Sequence, residues 1–400
     1  MRRNQSESRT EGSATCRQVK RIRTRWLRLA ATGAFAGLVI AGAWIQRFGD
    51  DSAETLTLAP LWGQDFASTH WPKVDDTQAG AWRECLADLP RLVGGSGFIA
   101  RDGKAVFRWG NDHHSHYIAS AMKPFLSALL LLAVEQGLVS GLDAPVADVV
   151  PELRNLGGGS DSLITWRQLA TMTSGYGVEE APGEAFAYND FAVQLFYDAL
   201  IHGVFASCGD EVLLRHLAGP LGFEDWVTFR GFGDGGPEPK MRASARDLAK
   251  FGQWLLDGRI VGAGADHDKL PGSIRDRLTS MAVDESVPMT SAIPAPMLPG
   301  QGTVGGGKPN LFPMGPGRYG YHLWHNRTSE NATRKIPPAP EDSILAVGKL
   351  GESVLWIIPS WQMVVAWTNS DVDGQAVAAE DPEADFNEVA RLLARAIESR

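Results

Sequence analysis

The sequence predicts an α+β fold in which both ends of the chain build one antiparallel sheet, flanked by helices and interrupted by a helical insertion, behind an N-terminal membrane helix. Three observations carry this reading. Strand-like apolar runs occur near the start of the body, at 96–110, and near its end, at 353–368. Helical patterns fill the interval between them. An uncharged apolar stretch, Leu29 to Ile45, follows a basic tail. With 400 residues, 44% of them hydrophobic and 21% charged, the chain can bury a sizeable core.

The N-terminal 28 residues hold nine Arg and Lys against Glu7 and Glu11, so a chain of net charge -9 carries a strongly acidic body behind a basic tail. An apolar span of about 17–25 residues can cross a bilayer as a helix. The basic flank before it, with Asp50, Asp51 and Glu54 after it, places the N-terminus in the cytoplasm and the body outside. The expected layout is a basic cytoplasmic tail over 1–28, a transmembrane signal anchor over 29–46, a linker over 47–80 and one folded domain over 81–400. The rival is a cleaved signal peptide, because Ala41-Gly42-Ala43 has the small-x-small form; the body would then be secreted. Export makes Cys85 and Cys208 the pair that an oxidising compartment could join, with two free thiols as the equal alternative.

Along the body, Ala81 to Leu89 reads as a short helix. Asp102-Gly103 between apolar runs is a strong hairpin signal. Ser120 to Leu138, rich in Ala and Leu and closed by Gly137, reads as a buried helix. Further helical patterns cover Thr165–Thr173, Phe191–Ile201, Asp210–Leu217, Ala245–Leu256 and Ala379–Ser399. Residues 284–318, with seven prolines at 288–316 and Gly305-Gly306-Gly307, read as a long functional loop. Ser353–Ile358 and Met363–Thr368 read as two strands around Pro359-Ser360.

Net charge of -9 argues against a nucleic-acid binder. Three cysteines exclude a disulfide scaffold and a cysteine-rich metal module. His113, His114 and His116 beside Asp112 could ligate a metal only if they shared one face, and read better as a solvated loop. Gly305-Gly306-Gly307-Lys308 lacks the strand before it and the Gly-Lys-Ser/Thr after it that a phosphate loop needs. Asn326-Arg327-Thr328 and Asn331-Ala332-Thr333 match the glycosylation pattern. No metal and no cofactor is expected.

The sharpest chemical signal is Ser120-Ala121-Met122-Lys123 at the start of a buried helix. Positions i and i+3 share a helix face, so the lysine amine can reach the serine hydroxyl. A serine needs a base beside it to become a nucleophile. A helix start also presents backbone N–H groups, that of Ser120 among them, to a developing oxyanion.

With its surroundings, this motif resembles the beta-lactamase-related serine hydrolases. The resemblance runs through Tyr117 to Pro124, Val134 to Val146, Val150 to Leu153, Ile164 to Leu169, Thr173 to Gly175, Pro182 to Tyr188, Ser244 to Gly252, Tyr319 to Tyr321, Gly348 to Gly351 and Trp367 to Asn369. The order and approximate spacing of the family's motifs hold over about residues 90–395. Met122, Met172 and the tryptophans Trp62, Trp71 and Trp82 look most like the nylon-oligomer (6-aminohexanoate-dimer) hydrolase branch. The resemblance implies a beta-lactamase/transpeptidase-like fold and an acyl-enzyme on Ser120, with Lys123 and Tyr188 as proton carriers. It implies an oxyanion site from the backbone N–H groups of Ser120 and Lys349. Substrate contacts are expected from Asn189, Asp190, Val347, Gly348, Tyr319 and Tyr321, with Trp324 among the specificity-setting aromatics.

Two departures from the family pattern stand out. Asp190 occupies the place of an asparagine, and Ala346 that of a strand lysine or histidine. Both point away from penicillins and toward an ester, a linear amide or a cell-wall peptide as substrate. They also motivate the alternative of a catalytically degenerate family member that binds wall peptides or a partner. The sequence leaves the oligomeric state open.

Overall fold

The computed structural model describes residues 71–176, 178, 180–230, 240–261, 270–280, 318–328, 334–369 and 382–398. The basic tail, the apolar segment 29–45, most of the expected linker and the loop 284–317 lie outside them.

Seven strands form one antiparallel sheet in the order β2-β1-β10-β9-β8-β7-β6. They are β1 (Ser96–Arg101), β2 (Lys104–Trp109), β6 (Arg318–Gly320), β7 (Leu323–His325), β8 (Ile344–Gly348), β9 (Ser353–Ile358) and β10 (Met363–Thr368). The first two come from one end of the chain and the other five from its opposite end, as the sequence predicts. The β1–β2 turn is the Asp102-Gly103 pair, with φ of 53° and 74°. Positive φ at both central residues matches the twist of a two-residue hairpin, and Asp-Gly tolerates it. A smaller sheet of β3 (His116–Tyr117), β5 (Lys240–Ala243) and β4 (Thr228–Arg230) lies in the insertion.

Every residue of β9 and β10 is buried. Strands covered on both faces read as continuous apolar runs, which is how these two look in sequence. Neighbouring residues show the two covers. Leu355 meets Gly252 of α7 (Ala245–Asp257), where a Cβ would stand 2.6 Å from both Leu355 and Val364. On the opposite face, Trp356 packs 6.1 Å from Phe386 of the terminal helix α9 (Pro382–Glu398). The glycine in α7 lets that helix lie directly on the sheet.

The insertion supplies α3 (Lys123–Glu135), α4 (Trp166–Ala170), α5 (Asp190–Tyr197), α6 (Gly209–Leu213) and α8 (Gly272–Ser280). Phe125 of α3 stacks on Phe251 of α7 at 4.0 Å. The predicted helix 120–138 divides into a 3-10 turn, Ala119–Met122, and α3 proper. Pro124 sits in the first turn of α3, where its missing N–H costs nothing. Gly137, with φ of 69°, ends the segment as expected.

The folded body begins earlier than residue 81. Trp71 is buried and packs 4.9 Å from Phe98, and Lys73 bridges Ala105 of β2. Helix α1 (Asp76–Cys85) is capped by Asp75, which accepts from Gln78 N at 2.9 Å, and α2 (Leu89–Val93) follows. Residues 71–80 thus meet the folded body through Trp71 and the Lys73 bridge, while most of the segment is exposed. Cys85 and Cys208 are thiols, not joined to each other. Asn326 is fully buried, so the first glycosylation pattern is structural rather than an acceptor.

Candidate active site

Ser120 lies on the 3-10 turn that precedes α3, and its residue is half-exposed. Three contacts hold the turn in place. Ile118 N donates to Met241 O of β5, Ala121 N donates back to Ile118 O, and Ser353 of β9 donates to Tyr117 O. Ala119 has φ of 45°, a conformation that costs a residue with a Cβ and is kept by its neighbours. The end of β8 presses on the same turn. A Cβ on Gly348 would stand 2.3 Å from Ile118 O and 3.2 Å from Ala121 N. Glycine at 348 is thus required by contact, and it brings the backbone of Lys349 beside the serine.

Lys123 is buried, and its Nζ donates to Ser120 Oγ at 2.6 Å and to Tyr188 Oη at 2.7 Å. The three residues that the sequence nominates as nucleophile and proton carriers therefore meet at one ammonium. Tyr188 reaches it from the loop before α5, and Lys123 Nζ also stands 4.7 Å from the Tyr188 ring centroid. A wall of aromatics fixes that ring. Trp324 of β7 is nearly parallel to it, at 15° and 6.5 Å, and Tyr319 of β6 lies edge-on at 6.1 Å. Phe186 closes the group against Tyr319 at 5.3 Å. Edge and offset contacts of this kind hold aromatic rings in defined orientations.

Behind the lysine stands a pair the sequence does not announce. Ser127, one turn along α3, shares a 2.8 Å hydrogen bond with His322 Nδ1. Burial, with the Lys123 charge beside it, pulls the His322 imidazole down to about 3. The ring is neutral at ordinary pH and places no second positive charge behind Lys123.

Several expected substrate contacts resolve differently. Asn189 is fully buried and caps α5, its Oδ1 accepting from Ala192 N at 2.9 Å. Helix starts favour such a side-chain acceptor, so Asn189 holds the tyrosine loop rather than a substrate. Asp190 begins α5, and only its backbone is described. Tyr321 is buried, with its hydroxyl accepting from Arg167, which in turn forks onto Asp143. It belongs to that surface ion pair and not to the serine. Tyr319 is buried within the aromatic wall and meets Tyr188 instead of solvent. Val347 is also buried, leaving its backbone as its contribution.

The β7–β8 ladder pairs His325 with Ile344 and Trp324 with Leu345, and among the described residues it does not continue to Ala346, Val347 or Gly348. The Lys349 ammonium does not replace the missing strand cation, because it pairs with Glu352 at 3.2 Å. His113 is exposed, and the rings of His114 and His116 meet edge to face, with centroids 4.9 Å apart. No group of three or more potential metal ligands is found among the described residues.

Serine, lysine and tyrosine thus meet beneath a strand end. The family described as Beta-lactamase matches residues 82–388. The chain belongs to the beta-lactamase family of serine hydrolases. Among solved structures, it is similar to a candidate 6-aminohexanoate-dimer hydrolase from Bacillus anthracis at a TM-score of 0.55 and 16% identity, over 82% of this chain and 88% of that one. A class C beta-lactamase from Rhodobacter sphaeroides gives a TM-score of 0.51 at 15% identity, over 80% of this chain and 99% of the other. These likenesses are of fold. In sequence, esterase EstB from Burkholderia gladioli is 30% identical over 146 residues, which is 33% of this chain and 36% of that esterase. The chain therefore matches only about a third of the esterase's length.

Proposed function

We propose that this beta-lactamase-family chain is a serine hydrolase that cleaves an ester or amide through an acyl-enzyme on Ser120. The observation that carries the reading is the double contact of Lys123 Nζ, at 2.6 Å to Ser120 Oγ and 2.7 Å to Tyr188 Oη. The Ser120 proton passes into the Lys123–Tyr188 pair, which enters the step one proton short of ammonium plus phenol, as Oγ forms a bond to the carbonyl carbon. The carbonyl oxygen takes the negative charge and faces the backbone N–H groups of Ser120 and Lys349. Tyr188 returns a proton to the leaving oxygen or nitrogen as its bond to carbon breaks. Water then repeats the sequence on the acyl-enzyme, releasing the acid and restoring Ser120.

The partial match to an esterase and the loss of the strand cation at Ala346 both favour an ester or a linear amide over a beta-lactam. A non-catalytic binder is the rival reading, suggested by Ala346 and Asp190. The close contact of nucleophile and both proton carriers argues against it, since a binder has no use for that geometry. Assays of 4-nitrophenyl esters, short linear amides and a chromogenic cephalosporin, each against a Ser120→Ala control, test the reading. Turnover of the esters that vanishes in the control is expected; turnover that survives Ser120→Ala would overturn it.

The same reading places residues 29–45 in a membrane with the hydrolase domain outside the cytoplasm, supported by the apolar stretch and its charge flanks. Retention of the full chain in carbonate-washed membranes is expected. Its appearance as a shortened soluble product would point to cleavage instead.

A further inference from the structure

The hairpin that carries Tyr319 and Trp324 is closed by two residues ill suited to its turn. β6 and β7 pair Tyr319 with Trp324 and Gly320 with Leu323, so Tyr321 and His322 form the turn. Both have positive φ, 50° and 64°. Glycine and asparagine are the ordinary occupants of that conformation, which costs a bulky side chain. Here two rings adopt it, and both are buried. Contacts outside the hairpin must therefore hold the turn.

Tyr321 meets Arg167 of α4, and the His322 backbone N–H donates to Ala170 O, at the end of the same helix, at 3.2 Å. The His322 ring reaches further. Its Nδ1 shares the 2.8 Å hydrogen bond with Ser127, which follows Lys123 by four residues and so lies on the same face of α3. The ring also lies 5.6 Å from Phe196 of α5, the helix that follows the Tyr188 loop. Tyr319 stands edge-on to it at 6.2 Å and meets Tyr188 at 6.1 Å. These contacts close a circuit from Lys123 along one turn of α3 to Ser127, His322, Tyr319, Tyr188 and back to the Lys123 amine. His322 is its link between the helix that carries the lysine and the wall that orients the tyrosine. Burial keeps the ring neutral, so it supplies position and no charge.

We propose that His322 is a positioning residue for the hydrolytic reaction, holding the Lys123 amine and the Tyr188 hydroxyl in register through Ser127 and Tyr319. The inference rests on the hydrolase reading above. It adds a residue that acts through the two proton carriers and not on the substrate.

The test begins with His322→Gly, which removes the ring and suits positive φ, so that the turn is kept. With a 4-nitrophenyl ester that the wild type cleaves, kcat per titrated site should fall about tenfold to a hundredfold, with KM within about twofold. His322→Asn also accepts positive φ and places a hydrogen-bonding atom one bond from Cγ, where Nδ1 stands. It should recover most of the lost rate. Ser127→Ala should lower kcat in the same way, and combining it with His322→Gly should cost no more than the worse single change. A histidine that only stabilised the fold would lower the melting temperature and the number of active sites, not kcat per site. An unchanged kcat per site in His322→Gly, or a loss that His322→Asn does not recover, overturns the proposal. Amide hydrogen exchange from Ser120 to Ser127 reads the anchor without turnover. Faster exchange in His322→Gly, restored in His322→Asn, is expected, and exchange indifferent to His322 overturns the proposal. Should the wild type neither cleave esters nor label at Ser120, the hydrolase reading fails, and the exchange pattern alone decides whether His322 anchors the helix head.

Discussion

Two lysines in this chain share an i to i+3 spacing and differ in their partners. Lys123 follows Ser120 by three residues at the head of α3, and Lys250 follows Asp247 by three residues at the head of α7. Around Lys123 the partners are hydroxyls, and one of them belongs to a half-exposed residue. Around Lys250 they are carboxylates and a carbonyl. Glu224 lies at 2.6 Å, Asp247 at 4.0 Å, and the Gly222 carbonyl also accepts from the ammonium. Asp247 accepts from the backbone N–H groups of Glu224 and Asp225, while Arg246 forks onto Asp225. Burial pulls the Lys250 amine down and pushes the Asp247 carboxyl up to about 7, each charge partly restoring the other. The i to i+3 spacing sets the reach. The partners differ: hydroxyls suit the proton transfer proposed for Lys123, and carboxylates let Lys250 tie a helix to a loop.

The largest expected effect breaks the first site. Lys123→Met should lower kcat by about a thousandfold or more, since removing one member of a nucleophile unit disables the unit. Its melting temperature should hold or rise, because a buried cation is exchanged for an apolar chain of similar volume. Lys250→Met should do the reverse. It leaves buried carboxylates uncompensated, at a cost of about 3–5 kcal/mol, while activity per folded molecule is unchanged. Paired melting curves and active-site titrations check both.

Tyr188→Phe sharpens the contrast, because it keeps the ring against Trp324 and removes only the hydroxyl. A fall in kcat of about 10²–10⁴, with little change in melting temperature, is expected for loss of one proton carrier. A smaller, pH-dependent effect concerns the third buried lysine. The Lys335 amine is depressed to about 7 in the folded chain from an ordinary 10.5, so the folded state binds fewer protons than the unfolded state between those values. Stability should therefore rise with pH from about 7 to about 10.5 through this group, and Lys335→Met should flatten that rise. Denaturant unfolding across that range measures it. Tyr321→Phe should be the weakest of all, changing kcat/KM by less than about twofold, because that hydroxyl meets Arg167 and not the serine.

How much of this was legible in sequence differs between the two kinds of site. The sheet from both chain ends was legible because β9 and β10, covered on both faces, are unbroken apolar runs. The meeting of Ser120 and Lys123 was legible from their i to i+3 spacing, whereas Tyr188, 65 residues from Lys123, was nominated through the family resemblance. The start of the fold was hidden, since Trp71 and the Asp75 cap stand in a polar stretch without a sustained period. The capping role of Asn189 was hidden because a helix-capping asparagine and a substrate-binding one look alike until the Ala192 N–H is in place. Tyr321 was misread for a similar reason, its partner Arg167 lying 154 residues away. The burial of Lys335 and the Ser127–His322 pair depend on packing between distant elements, and no local pattern marks them.

The central claim is that Ser120 is a nucleophile activated by the Lys123–Tyr188 pair. The most direct test is intact-mass and peptide-map analysis of the full chain after reaction with a fluorophosphonate, beside Ser120→Ala and Tyr188→Phe. One adduct mapped to Ser120, absent in Ser120→Ala and slowed by about a hundredfold or more in Tyr188→Phe, is the predicted result. An adduct on another residue, or none on Ser120 in a folded chain, would contradict the account.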